Sequence, residues 1–173
     1  MCSHEAGTEQ CLEINRNLLL DSLDVRILRL LQNNARLSNR ELAAQIDVAP
    51  STSLERVRTL ARRGVITGYT AEVDLPALGR SVQALISVRI RPPSRVVIEA
   101  FRDWTLTLPE VLGLYVTSGT ADFLLHVGVG TTDGLYAFVI DRLTERREVA
   151  DVTTSVVYDH LRPRVVDPLP SHT

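Results

Sequence analysis

Six arginines, Arg36, Arg40, Arg56, Arg58, Arg62 and Arg63, crowd into residues 36 to 63 against three acids, Glu41, Asp47 and Glu55. This island carries +3 in a chain of net charge −2, so everything outside it sums to −5. A guanidinium is a planar fork of donors that matches phosphate and the O6/N7 edge of guanine. Between the arginines stand Ser51, Thr52, Ser53 and Thr59, whose short hydroxyls can approach base edges or phosphates. A basic island in a mildly acidic chain reads as a nucleic-acid face; a solvated helix surface without a partner is the competing reading. All 19 basic side chains are Arg and none is Lys, which suits phosphate recognition but also follows from the codon usage of a GC-rich genome.

Elsewhere reactive groups are sparse. Cys2 and His4 could begin a metal site, but zinc usually takes four ligands and Cys11 is the only other cysteine. The expectation is a reduced, flexible leader over residues 1–19, with no metal, no cofactor and no catalytic constellation. At 173 residues and 45% apolar content the chain has room for one ordinary domain or two small ones. No stretch approaches the roughly 20 apolar residues of a spanning helix, and nothing in the leader argues for export, so a cytoplasmic protein is expected.

The elements that must hold the arginines follow from periodicity. In "LDVRILRLLQ" the residues Leu23, Ile27, Leu30 and Leu31 line one face of a helix. Ser38 followed by Glu41 makes a capping box, so a second helix of about nine residues starts at "SNRE" and buries Leu42, Ala43 and Ile46. Pro50 suits the first position of a third helix. Its inward stripe is expected to be Leu54, Val57, Leu60 and Ala61, leaving Ser51, Thr52, Glu55, Arg58 and Thr59 outward. Two short helices joined by a tight turn and braced by a third make a helix-turn-helix, whose second helix enters the major groove. After Gly64, the alternation of Tyr69, Ala71 and Val73 predicts a strand leaving this unit.

Pro and Gly in "DLPALGRS" break the pattern, and the second half changes character. "QALISVRIR" alternates Ala84, Ile86, Val88 and Ile90 against Ser87, Arg89 and Arg91, a half-buried strand. A helix follows over "SRVVIEAFRDW", with Val97, Ala100, Phe101 and Trp104 inward. "VLGLYVT" and "DFLLHVGV" read as two strands joined at "SGTA". A helix capped near Thr132 then buries Leu135, Phe138, Val139 and Leu143, and "VTTSVVYDHL" is the last strand. The predicted class is therefore α+β: an N-terminal helix-turn-helix domain plus a C-terminal ferredoxin-like βαββαβ domain. The expected organisation is leader 1–19, helix-turn-helix domain 20–73, linker 74–81, ferredoxin-like domain 82–162 and tail 163–173.

From about Leu20 to Arg162 the chain resembles the Lrp/AsnC family, the feast/famine transcriptional regulators of bacteria and archaea. "LDVRILRLLQNNARLSNRELA", "ERVRTLARRGVITGY" and the G-x-x-D-F of Gly119, Asp122 and Phe123 carry the resemblance jointly. It implies sequence-specific binding to double-stranded DNA, with Arg40, Ser51, Thr52, Ser53, Glu55, Arg56, Arg58 and Thr59 as the interface. It also implies a homodimer pairing sheets through the C-terminal domains, assembling to a tetramer or octamer. A small effector, commonly an amino acid, would bind between dimers against Thr117, Ser118, Gly119, Thr120 and Asp122, with Thr154 nearby. Asp122 could receive an α-ammonium, and N–H groups freed by Gly119 an α-carboxylate. A plain hairpin, with Gly at positive φ and Asp capping the turn, is the competing reading.

Three residues depart from the family pattern. Asp47 stands where Gly is usual and Ala49 where Ser is usual; Asp can occupy a left-handed turn, but Ala cannot cap. Ser51 or Thr52 is then expected to cap the recognition helix and start it one or two residues late. Glu55 stands where a basic residue is common, and would either repel phosphate or accept from cytosine N4. Two other functions keep the same architecture: a DNA-wrapping architectural protein without effector response, and a sirohaem-decarboxylase-like enzyme, for which His126 and His160 are the candidates in the folded region.

Overall fold

A computed structural model of the chain describes residues 20–169, so the leader with Cys2, His4 and Cys11 lies outside the described residues. The described residues form two compact units, one of residues 20–71 together with 162–169, the other of Glu72–Leu161.

In the first unit, helix α1 spans Ser22–Asn33, α2 Asn39–Ile46 and α3 Pro50–Arg62. Each begins where the sequence supplies or tolerates a start. Asp21 caps α1 by accepting from Asp24 N–H at 2.8 Å. Ser38 and Glu41 form the expected capping box on α2. The turn between α2 and α3 is made by Asp47 in the left-handed region, at φ 59°, a conformation Asp tolerates better than most side chains. Ile27, Leu42, Ala43, Ile46 and Leu60 are the buried core where the three helices meet.

Two expectations for α3 are corrected. The helix begins at Pro50 with Ala49 as an N-cap that makes no side-chain hydrogen bond, rather than later at a Ser51 or Thr52 cap. Proline is already set in the helical φ and has no N–H to satisfy, and Asn39 Nδ2 reaches across from α2 to the Pro50 carbonyl at 2.8 Å. The inward stripe is also rotated by a residue. Ser53 is fully buried, whereas Leu54 is 38% exposed and Ala61 lies at the surface. The small Ser53 is enclosed by the packed helices, and the larger Leu54 is turned outward.

The strand expected over Tyr69–Val73 is absent: a strand needs a backbone ladder, and among the described residues this segment joins no sheet. Instead Gly64, at φ 70°, turns the chain, and the Val65 and Ile66 N–H groups bond back to the Leu60 carbonyl. Arg164, Val166 and Asp167 bond to α1. Arg29 donates to both carboxylate oxygens of Asp167 at 2.6 and 2.9 Å, and Gln32 exchanges two hydrogen bonds with the Val166 backbone.

The second unit holds β1 (Val82–Ile90), α4 (Arg95–Thr105), β2 (Val111–Val116), β3 (Phe123–Val129), α5 (Thr132–Ala137, continuing as a π-helical turn over Phe138–Thr144) and β4 (Val149–Val157). The strands form one antiparallel sheet in the order β2-β3-β1-β4, the ferredoxin-like arrangement. On β1 the alternation is complete: Ala84, Ile86, Val88 and Ile90 are fully buried. They pack with Phe123, Leu125 and Val127 of β3, with Phe101 of α4, and with Leu135, Phe138 and Leu143 of α5. Ala100, expected inward on α4, is exposed, and Thr105 is buried instead, its hydroxyl donating to the Phe101 carbonyl. The opposite face of the sheet carries Leu85, Ser87, Leu124 and His126, all half-buried.

Candidate functional site

The recognition helix presents only part of the surface expected of it. Arg40 on α2 and Ser51, Thr52, Glu55 and Arg58 on α3 are exposed, and Thr59 is partly so. Ser53 is not: it is 0% exposed and its Oγ has no hydrogen-bond partner, so it is removed from the surface set and belongs to the packing of the unit. Glu55 is held within its own helix, accepting from Arg62 Nη2 at 2.9 Å and from Thr59 Oγ1 at 3.3 Å. That pairing offsets the charge that would otherwise face a phosphate, although both side chains are exposed and the contact is screened by salt.

Arg56 is engaged elsewhere. Its Nη1 donates to Asp24 Oδ1 at 3.0 Å and to Asp21 Oδ2. Hydrogen bonds to these two carboxylates raise the Arg56 pKa. Asp21 is held below the usual carboxylate range, first by the Asp24 N–H and then by Arg56. Asp24, Ser51, Thr52, Glu55, Arg56 and Thr59 border an open hollow of about 540 Å³. Sequence reasoning did not find Asp21 and Asp24 as partners of this helix, because acids in a first helical turn read as caps and dipole partners and nothing local points to an arginine 32 to 35 residues away.

The hairpin between β2 and β3 is closed by its own backbone. Thr117 N–H donates to the Asp122 carbonyl and Thr117 Oγ1 to the Ala121 carbonyl, each at 2.8 Å. Gly119 sits at φ 119°, and its carbonyl accepts from Arg89 Nη2 at 3.1 Å. Thr117, Ser118, Gly119 and Thr120 are exposed. Asp122 does structural work: its N–H donates to the Val88 carbonyl, and its Oδ2 accepts the Ile90 N–H at 2.7 Å, beside the irregularity in β1 at Arg89/Ile90.

Thr154 is not brought to this hairpin within one chain. It lies on β4 opposite Ile86, while the hairpin abuts β1 at Val88–Ile90 from the β3 side. Two strand spacings and about three residues of offset separate them, roughly 14 Å.

His126 and His160 stand edge to face, 5.5 Å between ring centroids, with His126 Nε2 2.9 Å from Gln83 Oε1. Burial, and then the charge of His160, lower the His126 pKa. Among the described residues no three His, Cys, Asp or Glu side chains gather into a metal site, and no helix is long and apolar enough to cross a membrane.

Residues 20–67 match a winged helix-turn-helix DNA-binding domain and residues 83–166 the Lrp/AsnC ligand binding domain. The HTH-type transcriptional regulator AldR of Mycolicibacterium smegmatis is 40% identical over 143 residues, 83% of this chain and 84% of that protein. The chain belongs to the Lrp/AsnC family.

A leucine-responsive regulatory protein of Rhizobium meliloti is 36% identical over 135 residues, 78% of this chain and 86% of the relative. Among solved structures, a Neisseria meningitidis transcriptional regulator in complex with L-Met superposes with a TM-score of 0.77 at 31% identity, covering 84% of this chain and 94% of that one. As an Lrp/AsnC regulator the chain pairs a DNA-binding helix-turn-helix with a ligand-binding domain. Its relatives are named transcriptional regulators, and the enzymatic reading of His126 and His160 falls away: the protein is a regulator and not an enzyme.

Proposed function

We propose that this Lrp/AsnC regulator binds operator DNA sequence-specifically through Arg40, Ser51, Thr52, Glu55, Arg58 and Thr59, and that a free amino acid alters its assembly or operator affinity. The observation that carries the DNA half is the row of exposed hydroxyls and arginines along α3, on a family-matched helix-turn-helix. For the effector half, the support is the likeness to a regulator solved with L-Met, together with a hairpin of exposed Thr117, Ser118, Gly119 and Thr120. Asp122 commits Oδ2 to the fold, and its Oδ1 is the atom offered to an α-ammonium.

The separation of Thr154 from the hairpin means that a site using both draws on more than one copy of the chain. The half-buried sheet face of Leu85, Leu124 and His126 is the surface on which a homodimer would pair, with tetramers or octamers built from dimers. An effector between dimers touches no DNA, and regulates only by favouring one assembly or one spacing of reading heads.

A thermal-shift screen of the proteinogenic amino acids, followed by footprinting with any hit, tests this reading. The expected outcome is one or a few stabilising amino acids that change a footprint of paired half-sites about one helical turn, roughly 34 Å, or a multiple apart. Binding to DNA without sequence preference, unmoved by every amino acid, would favour the architectural alternative.

A further inference from the structure

Arg56 has the position of a reading residue and the contacts of a brace. It sits in the middle of α3, and its Nη1 bridges Asp24 Oδ1 and Asp21 Oδ2. Asp21 is fully used by this arrangement: Oδ1 caps α1 through the Asp24 N–H while Oδ2 holds Arg56. The Asp24 side chain is only 8% exposed, so withdrawing Arg56 toward DNA would leave a nearly buried carboxylate unpaired, and losing one partner of such a pair is strongly unfavourable. The first turn of α1 and the middle of α3 are thereby cross-linked. Arg58, two residues on, makes no hydrogen bond or ion pair among the described residues and is exposed.

We infer that Arg56 is a positioning residue, which fixes the rotation and pitch of the recognition helix against Asp21 and Asp24 and does not itself contact DNA. The inference rests on the DNA-reading role proposed for α3. Successive residues of a helix are rotated by about 100°, so a small rotation of α3 about its axis changes which of Ser51, Thr52 and Glu55 reach a base edge. Pairing also neutralises an aspartate beside the face that must approach a polyanion, and Asp24 consequently supports DNA binding despite its sign.

The test uses the full chain, a duplex selected by the wild-type protein from a randomised pool, and a scrambled duplex of the same length. Anisotropy titrations over a series of salt concentrations give the specific-to-non-specific ratio and the salt slope for wild type, Arg56→Ala, Arg56→Lys, Asp24→Asn and the Arg56→Ala/Asp24→Asn double variant. Circular dichroism selects a temperature at which each variant is folded; should Arg56→Ala not fold, Arg56→Lys and Asp24→Asn decide.

Positioning predicts that Arg56→Ala and Asp24→Asn each lower the ratio about tenfold or more, the cost of at least one lost base-pair contact. The salt slope should stay as in wild type, Arg56→Lys should fall between wild type and Arg56→Ala, and the double variant should be no worse than Arg56→Ala. Unchanged or tighter binding by Asp24→Asn would overturn the inference. So would a salt slope reduced by about 1 in Arg56→Ala, the mark of a phosphate contact, or preference relaxed at a single base pair, the mark of a base contact. A lowered melting temperature with an unchanged ratio would reduce Arg56 to a stabilising contact and also overturn it. A wild-type protein that selects no duplex would instead overturn the DNA-reading role of α3, and this inference with it.

Discussion

The helical unit and the sheet unit position their functional side chains by different means. The sheet unit rests on a wide apolar core in which the tilted rings of Phe101 and Phe123 meet at 4.8 Å between centroids, together with four fully buried β1 residues. Among the described residues the helical unit has a core of five buried apolar residues and relies in addition on polar devices: the Asp21 cap, the Ser38–Glu41 box, and the Arg56 bridge to Asp21 and Asp24. Packing is non-directional and tolerates a neighbour's shift, whereas a capped or bridged helix end is set in one orientation. A reading head needs orientation, and a domain proposed to pair with copies of itself needs a rigid slab. Asp122, bonded to the Ile90 N–H, is where the sheet unit uses the same kind of polar device beside its own candidate site.

The largest expected effect breaks the slab. Phe123→Ala should cost about 3–5 kcal/mol, the usual range for truncating a buried aromatic, and take self-assembly with it. Urea denaturation with sedimentation checks both, and a cost under about 1 kcal/mol would mean the core is not what carries this unit.

Next comes the borrowed device. Asp122→Ala removes the acceptor of the Ile90 N–H and should cost about 1–3 kcal/mol, the penalty of an unsatisfied backbone donor. Asp122→Asn keeps an acceptor oxygen and should fold like wild type while losing amino-acid affinity by calorimetry. Full affinity in the Asn variant would return the hairpin to an ordinary turn.

In the helical unit, Ser38→Ala should cost about 1 kcal/mol through loss of the capping box, read as a shift of the urea midpoint without loss of the sheet unit's signal.

The smallest effect separates the two units by pH. His126 has a depressed pKa in the folded chain, from burial first and His160 second. Its contribution is therefore complete above the unfolded value of about 6.5 and is lost as pH falls below it. Asp21 and Glu41 are also depressed, Asp21 mainly by the Asp24 N–H and Glu41 mainly by the Ser38 hydroxyl. Their contributions persist until pH falls below about 4. Stability followed between pH 7.5 and 5.5 should decline in wild type and decline less in His126→Gln, while Glu41→Gln should be less stable than wild type at neutral pH and converge on it as pH falls below about 4.

What the sequence made legible follows the same division. The Ser38–Glu41 cap and the alternation of β1 could be read directly, because a capping box and a period of two are local signals. The α3 stripe differs because hydrophobicity alone points Leu54 inward, whereas the fold encloses the small Ser53 and leaves Leu54 exposed. The Tyr69–Val73 alternation has the pattern of a strand but joins no ladder among the described residues. The partners of Arg56 and Asp122 were invisible for another reason: Asp24 and the Ile90 N–H are each 32 residues away, and no spacing rule reaches so far. The shift of α5 into a π-helical turn at Phe138 likewise has no counterpart in the hydrophobic pattern.

The most direct test of the account is an anisotropy titration of the wild-type protein on its selected duplex, with and without the amino acid that raises its melting temperature. The account predicts a change in affinity for that duplex of about 5- to 150-fold, the usual range of allosteric coupling, with a much smaller change for a scrambled duplex. An affinity that no amino acid moves, in a protein that is folded, assembled and bound to DNA, would contradict it.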